Sequence, residues 1–355
     1  MSGQISKGGR MKFSFKNDYS EGAHPQILQA LFKDNLQQMD GYGNDIRSLQ
    51  AADVIRKHID SLTADVHFIS GGTQTNLIFI SAVLRPHEAA IAASNGHIFV
   101  HETGAIEATG HKVCVRENPD GKLTPELIQS VLDEHCDEHM VKPKLVFLSN
   151  ASEIGTIYSK AELIAISQLC KEKNLLLYVD GARLGSALTA TGNDLDMKTI
   201  ASLVDAFYIG GTKNGALLGE ALVIVNPQLQ EDFRYLIKQR GAMLAKGRLL
   251  GTHFGELVND NLFYDLAKHA NQMAELLTAG LTRLGIKFLT DSRTNQVFPI
   301  LADKLIDEIG KDYVYTPWSR ISEDYSCIRL VTSWATPQAA VEEFIQSVAK
   351  LINQS

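Results

Sequence analysis

Long apolar runs are missing from this chain. None approaches the roughly 20 residues that span a bilayer. The opening Met1 to Arg10 also lacks the apolar stretch of a secretory signal, and residues 1–10 read as a loose arm or a cloning remnant. Neither membrane insertion nor export is therefore expected. A basic excess is missing too: 34 Lys+Arg stand against 41 Asp+Glu, for a net charge of −7. That balance argues against a nucleic-acid partner, which calls for a basic stripe. Cysteine is scarce. The four present (Cys114, Cys136, Cys170, Cys327) are scattered without close pairing and read as reduced thiols in a cytoplasmic protein. Repeats and low-complexity tracts are absent. So are the GxGxxG and Gly-rich Lys-Ser/Thr loops of nucleotide binders, which disfavours an NAD- or ATP-binding enzyme.

What is present is ordinary globular material. Over 355 residues, 45% are hydrophobic and 21% charged. A chain this long buries a large core without disulfides or metal, and its length suits two domains. Apolar runs of strand length alternate with helical segments through the middle. Strands are read at Val66–Ile69, Ala89–Ala92, Lys112–Val115, Leu145–Leu148, Leu175–Val179, Ala206–Ile209 and Ala221–Val225, with helices at Asn76–Leu84, from Thr124-Pro125, and at Ala161–Lys173. This alternation predicts an α/β fold with a mostly parallel sheet and helices on both faces. After about residue 230 helices dominate to Leu284. Short strands then appear at Gln296–Ile300 and Ile328–Val331, before a last helix from Pro337 to Ile352. The reading is a large domain over 11–250 and a smaller C-terminal α+β domain over 251–355.

Two of the apolar runs end in a chemically loaded residue. Leu175–Val179 runs into Asp180-Gly181-Ala182-Arg183, and Ala206–Ile209 runs into Gly210-Gly211-Thr212-Lys213-Asn214-Gly215. Both read as buried parallel strands, and ligands of open α/β sheets sit beyond the carboxyl ends of such strands. An acid and an amine delivered to one crevice suit pyridoxal phosphate, which needs a lysine for its Schiff base and an acid at its ring nitrogen. Taken singly, the two residues read as a helix-capping Asp and a solvated Lys.

Other residues gain meaning from this pair. Ser70-Gly71-Gly72-Thr73 turns from a strand into a helix, where free N–H groups and the Thr73 hydroxyl would hold a phosphate, though a glycine turn alone is most often just a turn. Arg183 would hold a carboxylate bidentately or pair with a structural acid. His97, in Asn95-Gly96-His97-Ile98-Phe99, would stack on a cofactor ring or transfer protons, while a lone His after a strand is more often structural; His101 makes the same claim less strongly. Arg329 sits in the apolar strand Ile328–Val331 and must either be paired or face a cleft or water. A metal-like run, Asp133 to His139, would put His135 and His139 on one helical face beside Cys136, but its acidic residues read as a solvated surface, and no metal site is expected.

With these motifs in view, the chain resembles the threonine aldolases of the pyridoxal-phosphate-dependent β-eliminating lyase group, from Phe13 to the C-terminal helix. Tyr42-Gly43 matches a further motif of that family. The resemblance implies the aspartate-aminotransferase fold (fold type I) and a residue-by-residue set of roles. Lys213 bonds the cofactor. Asp180 pairs with its ring nitrogen, and His97 stacks on the ring. Gly72 and Thr73 take the phosphate, with Thr212 placing a hydroxyl beside the lysine. Arg183 and Arg329 hold the substrate carboxylate. Asn17 stands where relatives often have a serine that touches that carboxylate. The resemblance also implies homodimers or homotetramers with shared sites, so that Tyr42 and the Lys246/Arg248 region would reach a neighbour's cofactor.

One departure bears on the reaction. Relatives often carry Glu-Asn-Thr-His after the strand at Leu145–Leu148, where this chain has Ser149-Asn150-Ala151-Ser152-Glu153. The expected histidine is absent, which leaves Glu102, His101, Glu153 or water as the group that takes the proton of a substrate hydroxyl. The function expected is cleavage of a β-hydroxy-α-amino acid, threonine or allo-threonine, to glycine and an aldehyde. Its rivals are β-elimination or transamination on the same scaffold and a non-catalytic cofactor-binding role.

Overall fold

The computed structural model describes residues 12–354, and the arm expected at residues 1–10 lies outside the described residues. A seven-stranded sheet forms the centre. Its strands are β1 (Asp65–Ile69), β2 (Glu88–Ala93), β3 (Val113–Arg116), β4 (Lys142–Ser149), β5 (Leu176–Asp180), β6 (Ala206–Gly210) and β7 (Glu220–Ile224), in spatial order β1-β7-β6-β5-β4-β2-β3. Each pairing from β6 across to β3 is parallel. β7 runs antiparallel to both β6 and β1. The alternation read through Ala221–Val225 thus breaks at this strand for a geometric reason. Only the loop 211–219 joins β6 to β7, and a parallel crossover needs about a dozen residues or more.

β2, β5, β6 and β7 are buried at every position, which is why they read as unbroken apolar runs. Their alternate side chains feed two cores. Val146, Leu177, Phe207 and Val223 point into one, while Leu145, Phe147, Tyr178, Tyr208 and Leu222 point into the other. The surrounding helices start on local signals. Asp45 and Thr124 accept from backbone N–H groups at the starts of Ile46–His58 and Pro125–Glu134, and Ser159 forms a reciprocal capping box with Glu162 at Lys160–Glu172.

The C-terminal sheet is antiparallel. Tyr325–Val331 lies at its centre, pairing with Gln296–Val297, Pro299–Ala302 and Thr316–Arg320. The helix Leu262–Arg283 joins the two bodies: Phe263 packs in a core of the large sheet, and Met273, Leu277 and Leu281 pack in the core of the small one. The N-terminal segment belongs to the small body. Phe13–Ser14 pairs with Tyr313–Val314, and Phe15 is fully buried in the same core. The segment that follows is thereby led to the cleft between the bodies.

The metal-like run does not form the geometry its spacing suggested. The helix ends at Glu134, so His135 and His139 share no helical face, and His135 Nε2 instead lies 3.5 Å from Cys114 Sγ. No helix among the described residues is long and apolar enough to cross a membrane.

Candidate active site

Five strand ends converge on one crevice at the carboxyl edge of the large sheet. β5 ends in Asp180, which Arg183 follows. β6 leads to Lys213, β2 to His97, β4 to Glu153, and β1 to the turn at Gly71. The topology sets this edge, because β1 shares the direction of β6 across the reversed β7.

Asp180 is buried and held by three donors. The Tyr208 hydroxyl donates to Oδ1 at 2.6 Å, the Ala182 N–H donates to Oδ1 at 3.0 Å, and Asn76 Nδ2 donates to Oδ2 at 3.0 Å. Oδ2 takes one hydrogen bond only and so keeps capacity for another donor. Asn76 Nδ2 also donates to Glu102 Oε1 at 2.8 Å, and the Tyr178 hydroxyl fixes the amide by donating to Asn76 Oδ1 at 3.0 Å. Glu102 Oε1 lies 2.8 Å from His97 Nδ1. Burial alone would push the imidazole of His97 down, but the Glu102 contact and the charges of Glu153 and Asp180 outweigh it and hold it above its ordinary range. Burial also raises the Glu102 carboxyl, against the pull of its His97 and Asn76 bonds. Both tyrosine hydroxyls stay protonated, because burial and then the Asp180 charge push them well above the usual phenol range.

Lys213 lies in the loop between β6 and β7, enclosed by charged side chains. Burial, and then the Arg183 guanidinium, push its amine below the ordinary lysine value; Asp18, Glu153 and Asp180 oppose that shift. The neutral, nucleophilic form is therefore easier to reach than on a surface lysine.

The turn at Gly71 opens the helix Gly72–Val83, and no side chain caps it. A Cβ at Gly72 would stand 3.0 Å from the Tyr208 hydroxyl, so the bare backbone suits this close approach. Thr73 is exposed beside it. Uncapped N–H groups with an adjacent hydroxyl form an anion cradle.

The arginines differ in their state. Arg183 is buried and already engaged, its Nε donating to Asp18 Oδ2 at 2.7 Å and its Nη2 to Asp18 Oδ1 at 3.1 Å. Asp18 accepts a third bond from Asn295 Nδ2 at 2.8 Å. Arg329 has its Nε buried without a hydrogen-bond partner, and its guanidinium lies 5.2 Å from the centre of the Trp318 ring. Burial and the nearby Arg183 both act against its charge. The strand that carries it is central rather than at an edge, so the alternative of an arginine facing water does not describe it.

Glu153 is 7% exposed and lies within electrostatic reach of His97, His101, Arg183, Lys213 and Arg329. His101 stands at the exposed rim, with its ring 5.5 Å from that of His97.

These contacts have the form of an enzyme active site, and sequence comparison gives the family. The β-eliminating lyase profile matches residues 22–304. The chain belongs to the β-eliminating lyase family. A low specificity L-threonine aldolase from a Pseudomonas species is 31% identical over 342 residues, covering 96% of this chain and 98% of the relative. Among solved structures, a threonine aldolase from Leishmania major superposes with a TM-score of 0.95 at 50% identity, covering 96% of this chain and 99% of that one. An aspartate aminotransferase from Thermus thermophilus superposes at 0.72 with 17% identity, which shows the shared fold. The β-eliminating lyase fold thus accounts for the mostly parallel sheet and the smaller C-terminal body.

The structure gathers Lys213, Asp180, His97, Arg183 and Arg329 in the crevice and sets Gly72 and Thr73 at the uncapped helix start. Asn17, Thr212 and Tyr42 have partners of their own. Asn17 Oδ1 accepts from Tyr19 N at 3.0 Å and Ser20 Oγ at 2.9 Å, and it is the neighbouring Asp18 that enters the crevice. The Thr212 hydroxyl, beside Lys213 in sequence, donates to Glu220 Oε1 at 2.9 Å. Tyr42 is exposed, with Lys238 Nζ 4.4 Å from its ring centre, and this chain alone does not bring it to the crevice. Arg248 binds the carbonyls of Gln37 and Asn35, and Lys246 is exposed. The sequence reading missed Asp18, Asn76, Tyr178, Tyr208, Glu220 and Asn295. An Asn and two Tyr in otherwise apolar segments were the only local signal available, since a buried polar group requires a partner.

Proposed function

We propose that this chain is a pyridoxal-phosphate-dependent aldolase that cleaves a β-hydroxy-α-amino acid, threonine or allo-threonine, to glycine and an aldehyde. The observation that carries the proposal is the convergence of Lys213 and Asp180 from adjacent parallel strands β6 and β5, facing an uncapped helix start at Gly72. The residues present fit the cofactor. The amine of Lys213 would bond its aldehyde, the spare acceptor capacity of Asp180 would take its ring N–H, His97 would cover the ring, and Gly72 and Thr73 would hold its phosphate. When bound, pyridoxal phosphate supplies an electron sink conjugated to the substrate α carbon.

The chain's own residues do the rest. Arg329, with its unpartnered Nε, would clamp the substrate carboxylate together with the N–H groups that Asp18 leaves free on Arg183. Of the candidates for taking the β-hydroxyl proton, Glu102 is already bonded to His97 and Asn76 and its side chain is fully buried. His101 stands at the exposed rim. Glu153 lies among the charges of the crevice, so we assign it the proton. Its removal breaks the Cα–Cβ bond as the carbonyl of the aldehyde forms, and glycine retains the other half of the substrate.

A homo-oligomer with shared sites accords with Tyr42 lying outside its own crevice and with the exposed Phe32 and Leu36 nearby in sequence. Four free cysteines, three of them buried, suit the reducing cytoplasm.

The test is an absorbance spectrum of purified protein with pyridoxal phosphate, before and after L-allo-threonine or glycine. It is paired with assays for aldehyde and ammonia on L-threonine, L-allo-threonine, phenylserine and L-serine. Aldehyde with a spectral shift supports the proposal. Ammonia from serine without aldehyde from threonine would make β-elimination the reaction, and a spectral shift without turnover across the panel would mark a binding protein.

A further inference from the structure

Glu220 is a buried acid for which the reaction above has no use. It opens β7 and is 4% exposed. Both of its oxygens are spent on the loop that carries Lys213. Oε2 accepts from Gly211 N at 3.0 Å, and Oε1 accepts from the Thr212 hydroxyl at 2.9 Å. Thr212 Oγ1 in turn accepts from Gly219 N at 2.9 Å, and the Gly219 carbonyl accepts from Gly211 N at 3.0 Å and Thr212 N at 3.1 Å. Gly219 has φ +114°, a backbone open in practice to glycine alone, and this lets the loop close on itself. One carboxylate thereby ties both ends of the loop together, with Lys213 next in sequence to its main ligand.

The donors to Glu220 are a hydroxyl and a backbone amide, both neutral, and it forms no ion pair within 4.0 Å among the described residues. Burying a carboxylate on neutral donors is costly, and a glutamine would offer only one acceptor oxygen to these two donors. A carboxylate therefore suits both donors of the loop, and the cation facing it is Lys213. The other titratable groups that face it are Asp180, Tyr208 and Tyr178, while His253 binds the Leu218 carbonyl in the same loop.

We propose that Glu220 is a positioning residue for Lys213: it clamps the lysine loop through Thr212 and Gly211, and its charge favours the ammonium form of the amine alongside Asp18, Glu153 and Asp180, against Arg183. Burial pushes the Glu220 carboxyl up to about 8, with the Thr212 bond and the Lys213 charge pulling the other way. The interaction is mutual, so once Glu220 ionises it favours the ammonium form of Lys213. The inference rests on Lys213 being the reacting amine, as proposed above.

The experiment measures Lys213 directly in the full-length chain. The rate of acylation of Lys213 by acetic anhydride is followed against pH by peptide mass spectrometry, without cofactor. A visible-absorbance titration is run in parallel on protein reconstituted with pyridoxal phosphate. In Glu220→Gln the charge and one of the two acceptor oxygens are lost, and the midpoint for Lys213 should fall by about half a unit or more, giving roughly threefold faster acylation below the midpoint. Thr212→Val removes the hydroxyl that stabilises the Glu220 anion, so it should shift the midpoint the same way; it decides the matter should Glu220→Gln not fold. An unchanged Lys213 midpoint in the folded variants overturns the proposal. A shifted midpoint in a protein that shows no absorbance with pyridoxal phosphate would leave the Glu220 role standing and sink the cofactor reading instead.

Discussion

Asn76 bridges Asp180 and Glu102: one side-chain amide donates to both carboxylates, at 3.0 and 2.8 Å. Two acids are thereby held near each other with a neutral group between them. One keeps room on Oδ2 for a further donor, and the other contacts His97. The Tyr178 hydroxyl secures the amide orientation. The bridge joins the two functional ends of the crevice through a single residue that touches neither the amine nor the arginines.

Replacing Asn76 with Ala should strand two buried polar groups at once, Asp180 Oδ2 and the Tyr178 hydroxyl, and leave Glu102 Oε1 with His97 alone. Each unsatisfied buried group costs about 1–3 kcal/mol, so thermal unfolding should show a loss of at least 2 kcal/mol. Activity should fall by about tenfold or more, because both Asp180 and Glu102 lose a fixed partner. A variant with wild-type melting temperature and activity would show that the bridge has no such role.

Glu102 sets the protonation of His97. Glu102→Gln removes the acid that holds the imidazole up, and the opposing burial should then bring it below its ordinary 6.5. The proton-dependent NMR shift of His97 should move to lower pH by about one unit. An unmoved His97 titration would contradict the assignment.

Asp18 couples folding to the site. Burial would raise its carboxyl, but the charges of Arg183 and Lys213 and the bonds from Arg183 and Asn295 outweigh that and hold it below its ordinary 3.8. A depressed folded value means that this stability is fully present above the unfolded value and is lost as pH falls through the folded one. Acid unfolding of the wild type should therefore steepen below about pH 4. Asp18→Asn leaves Arg183 buried with a neutral partner and should cost about 3 kcal/mol at neutral pH, read by denaturant unfolding. It should also blunt the acid dependence.

Arg329 and Glu153 are expected to separate binding from chemistry. Arg329→Lys keeps the charge but loses the forked donors, and it should raise the KM for the amino acid about tenfold with a smaller change in kcat. Glu153→Gln should instead lower kcat by about a hundredfold or more, with KM nearly unchanged, as for loss of a general base. Steady-state kinetics on L-allo-threonine checks both. An unchanged kcat in Glu153→Gln would move the role to His101, tested by His101→Ala.

The sequence by itself determined the strand-and-helix alternation and the mostly parallel sheet, and it singled out Lys213, Asp180, His97, Arg183 and Arg329 as residues that follow or occupy strands. Those signals are local: a fully buried strand reads as an apolar run, and a strand end announces itself by the residues that follow it. Tertiary structure alone decided who holds whom. Asp18 meets Arg183 across 165 residues, Asn76 meets Asp180 across 104, and Asn295 reaches Asp18 across 277. It also reversed β7, where the connection is too short for a crossover, and tied the Thr212 hydroxyl to Glu220. The physical reason is one of range. Hydrophobic periodicity is written along the chain, whereas a hydrogen bond depends on tenths of an ångström between groups that only the packed fold brings together.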